Sequence, residues 1–412
     1  MSEKGKGAVV DTDYSLEAVP ENSSERRGFW SMFVIMLGFT FFSASMSVGA
    51  RMGNGLDLSG FVLAIIFGGL ILSVYTGLLA FIGQKTALSM DQLAQRAFGT
   101  KGSFLPSAMV SFTQIGWFGV GAAMFAYPVS ELLGINHWIL IVLVGICMTS
   151  SAYFGMKGLA IVSFISCPLI AVLGIYSMVT ATSAGGGWAA MFGRNQGSIS
   201  MFTAIGMVVG SFISGGTATP NFARFSKTQL IAIITTVIAF FLGNTLMFLF
   251  GAVGGAYTGQ DDIFYVMIAQ GLTIPAIIVL GANIWTTNDN ALYTSGLGLS
   301  NITKIRKKPM TLVAGIIATL AAVWLYNNFI GWLSFLNATL PPVGAILVVD
   351  YFLHKGNYAK GSTPKETINI WAVLGVIAGA LIANFWNWGI ASINAMVVAI
   401  VLYLIGNALK KK

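Results

Sequence analysis

The sequence predicts an all-α, polytopic membrane protein with twelve transmembrane helices, and three observations support this. Of the 412 residues, 56% are hydrophobic and only 9% are charged, whereas soluble proteins carry about 25% charged residues. Apolar runs of about 20 residues, long enough to cross a bilayer, recur along the chain. Lys and Arg residues are concentrated in alternate connections between these runs, as expected when positive charge stays on the cytoplasmic side.

Residues 1–27 are polar and mixed in charge, and they are interpreted as a cytoplasmic tail rather than a signal peptide, because they contain no apolar core. Residues 28–350 are predicted to form a core of ten spans, and residues 351–412 two further spans and a carboxyl-terminal tail. The predicted spans are 28–52, 59–83, 104–134, 136–154, 158–181, 199–222, 228–256, 273–299, 309–327, 328–350, 368–386 and 390–409.

The distribution of basic residues predicts the orientation of these spans. With both ends of the chain in the cytoplasm, the tails and the cytoplasmic connections contain 20 of the 22 Lys and Arg residues. Only Arg51 and Arg194 fall outside them. We therefore expect a multi-pass protein of the inner or plasma membrane, with cytoplasmic amino and carboxyl termini.

Two connections are predicted to contain short helices of their own. Residues 89–100 (SMDQLAQRAFGT) precede the third span on the cytoplasmic side, and residues 259–270 (GQDDIFYVMIAQ) precede the eighth span on the outer side. Their separation by five spans indicates an inverted repeat, because an odd number of helices reverses the second unit.

The first and sixth spans contain small and hydroxyl residues where an ordinary span would carry Leu or Ile. The first reads GFTFFSASMSVG over 38–49, and the sixth reads GMVVGSFISGGT over 206–217. A matched pair of this kind predicts broken helices 1 and 6 around a binding site at the bilayer midplane. The alternative interpretation is close helix packing through small residues.

The third and eighth spans supply polar groups at the same depth. Gln114 and Trp117 lie at i and i+3, so one helix face presents an amide beside a large aromatic ring. In the eighth span, residues 281–293 read GANIWTTNDNALY, and a helix would place Asn283, Thr286, Thr287 and Asn290 on one face. Buried polar groups in a span are functional candidates, although hydrogen bonding between helices is an alternative.

These motifs resemble the nucleobase–cation symport-1 family, and within it the bacterial members that transport cytosine. The resemblance rests on FTFFSASM in the first span, TQIGWFGVG in the third, VGSFISGGT in the sixth and NIWTTNDNALY in the eighth. It implies the five-plus-five inverted-repeat fold of sodium symporters with two additional carboxyl-terminal helices. It also implies sodium-coupled import of cytosine or a related nucleobase by alternating access.

The resemblance further implies which residues bind each ligand. Trp117 and Phe212 would stack on the two faces of the base, and Gln114 would recognise its polar edge. The implied substrate-binding set is Gln114, Trp117, Ser211, Phe212, Ser214, Asn283 and Asn288. The implied sodium ligands are the carbonyls of Gly38, Phe41 and Asn283 and the hydroxyls of Thr286 and Thr287.

Other functions remain open at this stage. Proton coupling through Asp289, an acidic residue well inside a span, is the first alternative. An intramembrane enzyme is less favoured because no His lies in the middle of a span to activate Ser211 or Ser214. A channel would need charged rings or carbonyl filters, which the sequence does not suggest. No catalytic residue, cofactor or nucleic-acid partner is predicted; the expected partners are the nucleobase, sodium as coupling ion and the lipid bilayer.

Overall fold

A computed structural model describes residues 14–194, 198–386 and 388–410, and helices occupy all twelve predicted spans. Residues 1–13 of the predicted tail and residues 411–412 lie outside the described residues. In chain order the helices are α1 (Phe29–Thr40), α2 (Ser43–Gly55), α3 (Leu58–Thr86), α4 (Met90–Phe98), α5 (Phe104–Leu133), α6 (His137–Tyr153), α7 (Met156–Ala184), α8 (Trp188–Phe192), α9 (Met201–Thr217), α10 (Thr219–Ala223), α11 (Gln229–Ile238), α12 (Asn244–Thr258), α13 (Ile263–Ala269), α14 (Thr273–Pro275), α15 (Gly281–Thr303), α16 (Lys307–Asn327), α17 (Phe329–Thr339), α18 (Pro341–Leu353), α19 (Ile370–Phe385) and α20 (Ala391–Lys410).

Among the described residues, seven helical stretches and the bent pair α1–α2 are long and apolar enough to cross a membrane. The seven are α3, α5, α7, α11–α12, α16, α17–α18 and α20. Helices α6, α9 and α19 are apolar but shorter, and α15 carries the polar face of the eighth predicted span. The protein is therefore a multi-pass membrane protein, and the count of twelve spans stays a prediction for these four helices.

The two predicted connecting helices are present as α4 and α13. Ser89 begins α4 with a capping box, in which its hydroxyl accepts from the Gln92 amide while the Gln92 side chain accepts from the Ser89 amide. Asp262 caps α13 by accepting a hydrogen bond from the Phe264 amide at 2.9 Å. Both caps explain why these polar stretches form helices between spans.

The first span is broken as predicted, and the sixth is not. Helices α1 and α2 meet at an angle of 50° across Phe41 and Phe42. Helix α9, in contrast, runs without interruption through the predicted site. It ends at Thr217, and Ala218, which joins it to α10, also has helical dihedral angles. The glycines of α9 serve close packing: a Cβ on Gly210 would lie 3.0 Å from the Leu333 carbonyl oxygen. The small-residue interpretation therefore holds for the sixth span.

The seventh and eighth spans contain π-helical turns, which the sequence analysis did not predict. The turns cover Ala239–Gly243, between α11 and α12, and Ala276–Leu280, just before α15. Such turns leave backbone groups without their usual α-helical partners and occur frequently at functional sites. The first turn lies against the break of the first span, where a Cβ on Gly243 would come within 2.8 Å of Thr40 Oγ1.

Helices α2 and α12 pack backbone against backbone through glycines. A Cβ added to Gly251 would lie 1.7 Å from the Met46 carbonyl oxygen, and one added to Gly49 would lie 2.3 Å from that of Phe248. Small residues permit this approach between membrane helices. The second half of the broken span, α2, is therefore held directly against the seventh span.

Replacing Gly251 with Ala should destabilise the protein, because the added methyl group has no space beside Met46. Overpacking of this kind costs about 1–3 kcal/mol. We expect a lower melting temperature for detergent-solubilised G251A than for wild type. Gly331→Ala in α17 is the matched control, since a Cβ there meets nothing within 4 Å. Equal melting temperatures for G251A and G331A would contradict the packing argument.

Candidate functional site

The break in the first span exposes backbone carbonyls that α15 satisfies. Phe42 has extended dihedral angles, so the last carbonyls of α1 lose their helical partners. The Asn283 side chain donates to the Phe41 carbonyl at 2.6 Å and accepts from the Ser43 hydroxyl at 2.8 Å. One buried amide thus joins both sides of the break, in a region where lipid offers no hydrogen bonds.

Three of the predicted sodium ligands, Gly38, Phe41 and Thr287, have oxygen atoms that lie close together beside this break. Thr287 Oγ1 is 3.2 Å from the Phe41 carbonyl oxygen and 3.4 Å from that of Gly38. Thr286 Oγ1 donates to the Ala282 carbonyl at 3.1 Å. We call the Gly38 and Phe41 carbonyls with the Thr286 and Thr287 hydroxyls the oxygen cluster. It contains no carboxylate, and its members are uncharged.

A small cavity lined by buried residues lies next to the oxygen cluster. Its lining residues come from the first, third, sixth and eighth spans: Phe39, Phe42, Gln114, Trp117, Ser211, Phe212, Gly215 and Thr287. Its volume is about 10 Å³, which is room for about one water molecule. The predicted residues of three separate spans therefore meet at one place, and Thr287 belongs to both the cavity and the oxygen cluster.

The polar side of the cavity is formed between α5 and α9. Gln114 Nε2 donates to Ser214 Oγ at 2.6 Å, and Thr113 Oγ1 lies 2.7 Å from the same hydroxyl. Ser211 donates to the Val208 carbonyl of its own helix at 2.8 Å. The Gln114 amide is thus held by protein groups that a bound ligand would have to replace or extend.

The aromatic side of the cavity is formed by pairs of rings packed edge to face. The Trp117 ring lies 5.6 Å from that of Phe42, and the Phe212 ring lies 5.5 Å from that of Phe39. Phe39 and Phe42 were not predicted as site residues. Both are in the FTFF motif, but the helix is interrupted between them. The directions of their side chains therefore do not follow helical periodicity, and the sequence alone could not place them on one face.

Among the predicted substrate-binding residues, Ser214, Asn283 and Asn288 do not line the cavity, and neither does Asp289, the candidate proton site. The Asn283 side chain is bound to the break of the first span. Asn288 donates to the Phe118 carbonyl at 3.1 Å and to Met148 Sδ at 3.2 Å. Asp289 accepts from Ser151 Oγ at 2.6 Å. The last two side chains face the third and fourth spans, because they leave α15 on other faces than Thr287.

An aromatic side chain separates the cavity from a larger space at one end of the bundle. The Phe329 ring lies 6.1 Å from Trp117 on one side, and the Arg51 guanidinium lies 5.8 Å from the same ring. Beyond Arg51 is an open cavity of about 700 Å³, with Asn54, Asp261 and Asn337 among its lining residues. Nearby, burial raises the pKa of the Asp262 carboxyl to about 6. We call this end of the molecule the vestibule end.

The opposite end, which we call the basic end, is where the described residues of several Lys- and Arg-containing connections meet. Lys85, Lys227 and Lys360 line one groove there. Residues 14–27 lie across this end: the Arg27 amide donates to the Phe225 carbonyl at 2.7 Å, and buried Arg224 donates to the Tyr14 carbonyl at 3.0 Å. The described part of the amino-terminal segment is thus hydrogen-bonded to the residues that follow α10.

Helix α4 ties the third and eighth spans together at the same end. Ser107 Oγ donates to Asp91 Oδ1 at 2.6 Å, and Asn301 donates to Ser107 at 2.8 Å. Burial raises the pKa of the Asp91 carboxyl to about 6. The side chains that line the cavity are at most 5% exposed, so the site is buried within the bundle.

A family profile described as permease for cytosine/purines, uracil, thiamine and allantoin matches residues 18–406. The chain belongs to this family. The permease is also 46% identical over 398 residues to the cytosine permease of Escherichia coli K12, covering 96% of this chain and 94% of that one. It is 22% identical over 342 residues to the purine-uracil permease of Arabidopsis thaliana, covering 71% of this chain and 56% of that one.

Two solved structures with a similar fold are those of transporters. The first is Mhp1, a nucleobase–cation-symport-1 family transporter, in a closed conformation with bromovinylhydantoin bound. The permease matches it with a TM-score of 0.80 and 18% sequence identity, and the match covers 95% of this chain and 94% of Mhp1. It matches a Na⁺-coupled sialic acid symporter with a TM-score of 0.73, 15% identity and coverage of 93% and 90%. The family resemblance and the membrane-transporter fold predicted from the sequence are confirmed, and the permease is a nucleobase transporter rather than an enzyme.

Replacing Asn283 with Ala should destabilise the permease, because the Phe41 carbonyl and the Ser43 hydroxyl would lose a buried partner. An unsatisfied buried polar group costs about 1–3 kcal/mol. The matched control is Asn290→Ala, since within the described part of the chain the Asn290 side chain donates only to the Thr286 carbonyl of its own helix, at 2.9 Å. We expect a larger fall in melting temperature for N283A than for N290A. Equal falls would show that the amide does not hold the break.

Proposed function

We propose that this permease imports cytosine or a closely related nucleobase by sodium-coupled symport with alternating access. The observation that carries the proposal is the position of Thr287, which lines the cavity together with the aromatic and amide side chains and also belongs to the oxygen cluster. A ligand on either side of Thr287 changes the environment of the other, and such coupling is reciprocal. The 46% identity to the cytosine permease of Escherichia coli supports the choice of base.

The chemistry of the cavity suits a small, planar, neutral base. Trp117 and Phe212 offer ring faces, and stacking on aromatic side chains tolerates any planar heterocycle. Gln114 offers both a donor and acceptor for the edge of the base. The hydantoin derivative bound to Mhp1, a transporter of the same fold, also contains a planar heterocycle.

The chemistry of the oxygen cluster suits a small monovalent cation. Hard cations take oxygen ligands, and divalent ions are usually held with carboxylates. The cluster offers only carbonyl and hydroxyl oxygens, and Asp289 points away from it toward Ser151. Sodium therefore fits better than a divalent ion, with the Asn283 carbonyl as the further predicted ligand.

Proton coupling through Asp289 is the second candidate. One observation favours it: among the described residues, Asp289 Oδ2 is buried without a hydrogen-bond partner. Its other carboxyl oxygen is joined to Ser151, whose hydroxyl also accepts from the Trp285 ring nitrogen at 2.7 Å. This network lies apart from the cavity, so a proton there would have to act through the helix rather than through a shared ligand.

The transport cycle requires the closed site to open toward each surface in turn. A cavity of about 10 Å³ cannot hold a base, so Phe42, Trp117 and Phe212 have to separate when the base binds. Phe329 is the group that would move to join the cavity to the vestibule end. Release at the basic end would require the Asp91–Ser107–Asn301 network and the 14–27 segment to separate.

The test of sodium coupling is uptake of radiolabelled cytosine into proteoliposomes with and without an inward sodium gradient. Wild type should accumulate cytosine only with the gradient. Thr286→Val with Thr287→Val removes two oxygen atoms while nearly conserving shape, so sodium stimulation should be lost and cytosine affinity should fall. If a proton gradient alone drives uptake, and Asp289→Asn abolishes it, proton coupling replaces the proposal.

Trp117→Ala should weaken cytosine binding about ten- to a hundredfold, because stacking is worth about 1–3 kcal/mol per base. Trp117→Phe should retain much of the affinity. Trp324→Ala is the control, since Trp324 is 64% exposed on the outside of the bundle. Normal binding by folded W117A would exclude the aromatic site.

Gln114→Ala should change selectivity as well as affinity, because an unpaired buried polar group is what rejects the wrong base. Competition by cytosine, uracil, adenine, hydantoin and allantoin measures this change. Uniform weakening across the panel, with no change in order, would show that Gln114 does not recognise the edge of the base.

We also propose that the basic end faces the cytoplasm, as the positive-inside rule requires. Single cysteines at the exposed positions Lys308 and Ala189 test this in a variant whose native Cys147 and Cys167 are replaced by Ala. In intact cells, an impermeant thiol reagent should label A189C and leave K308C unmodified. Labelling of K308C alone would reverse the orientation.

A further inference from the structure

Two buried serines of the fifth span face the oxygen cluster, and the proposed function does not use them. Ser163 and Ser166 lie one helical turn apart on α7, and their exposed fractions are 0% and 1%. A Cβ added to Gly38 would lie 2.3 Å from Ser163 Oγ. The absence of a side chain at Gly38 therefore allows the Ser163 hydroxyl to approach the backbone whose carbonyl belongs to the oxygen cluster.

The Ser163 hydroxyl has no hydrogen-bond partner among the described residues. A serine in a membrane helix ordinarily donates to a carbonyl of the preceding turn. A hydroxyl buried without a partner carries a free-energy cost, because it has lost its hydrogen bonds to water. A cation held beside Gly38 would remove this cost, because the hydroxyl oxygen has two lone pairs available as ligands.

Ser166 differs from Ser163 in having a hydrogen-bond partner, since its hydroxyl is bonded to Thr286 Oγ1. Thr286 also donates its own proton to the Ala282 carbonyl at 3.1 Å. A hydroxyl oxygen can donate one bond and accept two. If Ser166 donates to Thr286, one lone pair of the threonine oxygen is left, and its direction is set by the two existing bonds.

From this arrangement we propose that Ser163 is a further ligand of the small monovalent coupling cation, and that Ser166 is a positioning residue that orients Thr286 toward it. The inference rests on the proposed sodium coupling and extends it. The cation would then be held by three spans, the first through carbonyls, the eighth through Thr286 and Thr287, and the fifth through Ser163. Cation binding would consequently draw α7 against α1 and α15.

A purely structural role for Ser163 makes a different prediction. Small residues often allow helices to approach in membranes, and Ser163 beside Gly38 fits that role by size alone. Size and ligation can be separated by replacing Ser163 with Cys, which nearly conserves volume but exchanges a hard oxygen for a soft sulfur. A structural role predicts that S163C behaves as wild type, whereas ligation predicts that it behaves as S163A.

The experiment measures radiolabelled cytosine binding to the purified full-length protein as a function of sodium concentration. We expect S163A and S163C each to raise the half-saturating sodium concentration about tenfold, equivalent to about 1.4 kcal/mol, with high sodium restoring cytosine binding. S166A should raise it also, since Thr286 loses its orientation. Ser392→Ala is the matched control, because Ser392 in α20 is equally buried and its hydroxyl also has no partner among the described residues.

The outcomes distinguish this inference from the proposed function. If wild-type binding does not depend on sodium, the proposed function fails and the inference fails with it. If wild type depends on sodium while S163A and S163C match S392A, only the inference is overturned. If S163A is impaired and S163C is normal, Ser163 has a packing role and the ligand assignment is wrong.

Discussion

The architecture of the site depends on one buried amide that joins two helices at a break. Asn283 binds the Phe41 carbonyl and the Ser43 hydroxyl at 2.6 and 2.8 Å. Without such a partner, the unwound backbone at Phe41 and Phe42 would be unsatisfied in the membrane interior, where each free group is costly. Because the Asn283 side chain holds α15 against the break, Thr287, one helical turn further along α15, lies next to the Gly38 and Phe41 carbonyls. The break, the oxygen cluster and the cavity wall are therefore consequences of the same contact.

The polar stretch of α15 serves several partners because successive residues leave the helix in different directions. Asn283 and Thr287 face the first span, Asn288 faces the Phe118 carbonyl, and Asp289 faces Ser151. Only the first of these faces meets the cavity. The acidic residue of the stretch is thus separated from the proposed cation ligands, although it is only two positions from Thr287. This separation is the physical reason for preferring sodium to proton coupling.

Glycine has two distinct roles in the spans around the site. In the first span, Gly38 lies at the end of α1, where its carbonyl contributes to the oxygen cluster and its missing side chain admits Ser163. In α9, by contrast, Gly210 and neighbouring glycines allow the tenth span and aromatic rings to approach an unbroken helix. The same residue type therefore marks a break in one span and close packing in the other. Composition alone could not separate these cases, because both place small residues near mid-span.

The sequence by itself determined the membrane class, the positions of the spans, the two connecting helices and the third-, sixth- and eighth-span residues around the cavity. These follow from hydropathy, charge distribution and helical periodicity, which act locally along the chain. Only the tertiary structure decided that Phe39 and Phe42 line the cavity, that the Asn283 and Asn288 side chains do not, and that Ser163 approaches Gly38. These depend on how far the chain turns at the break and on which helices approach closely there. Such distances are set by packing between residues more than a hundred positions apart in sequence, and no local pattern encodes them.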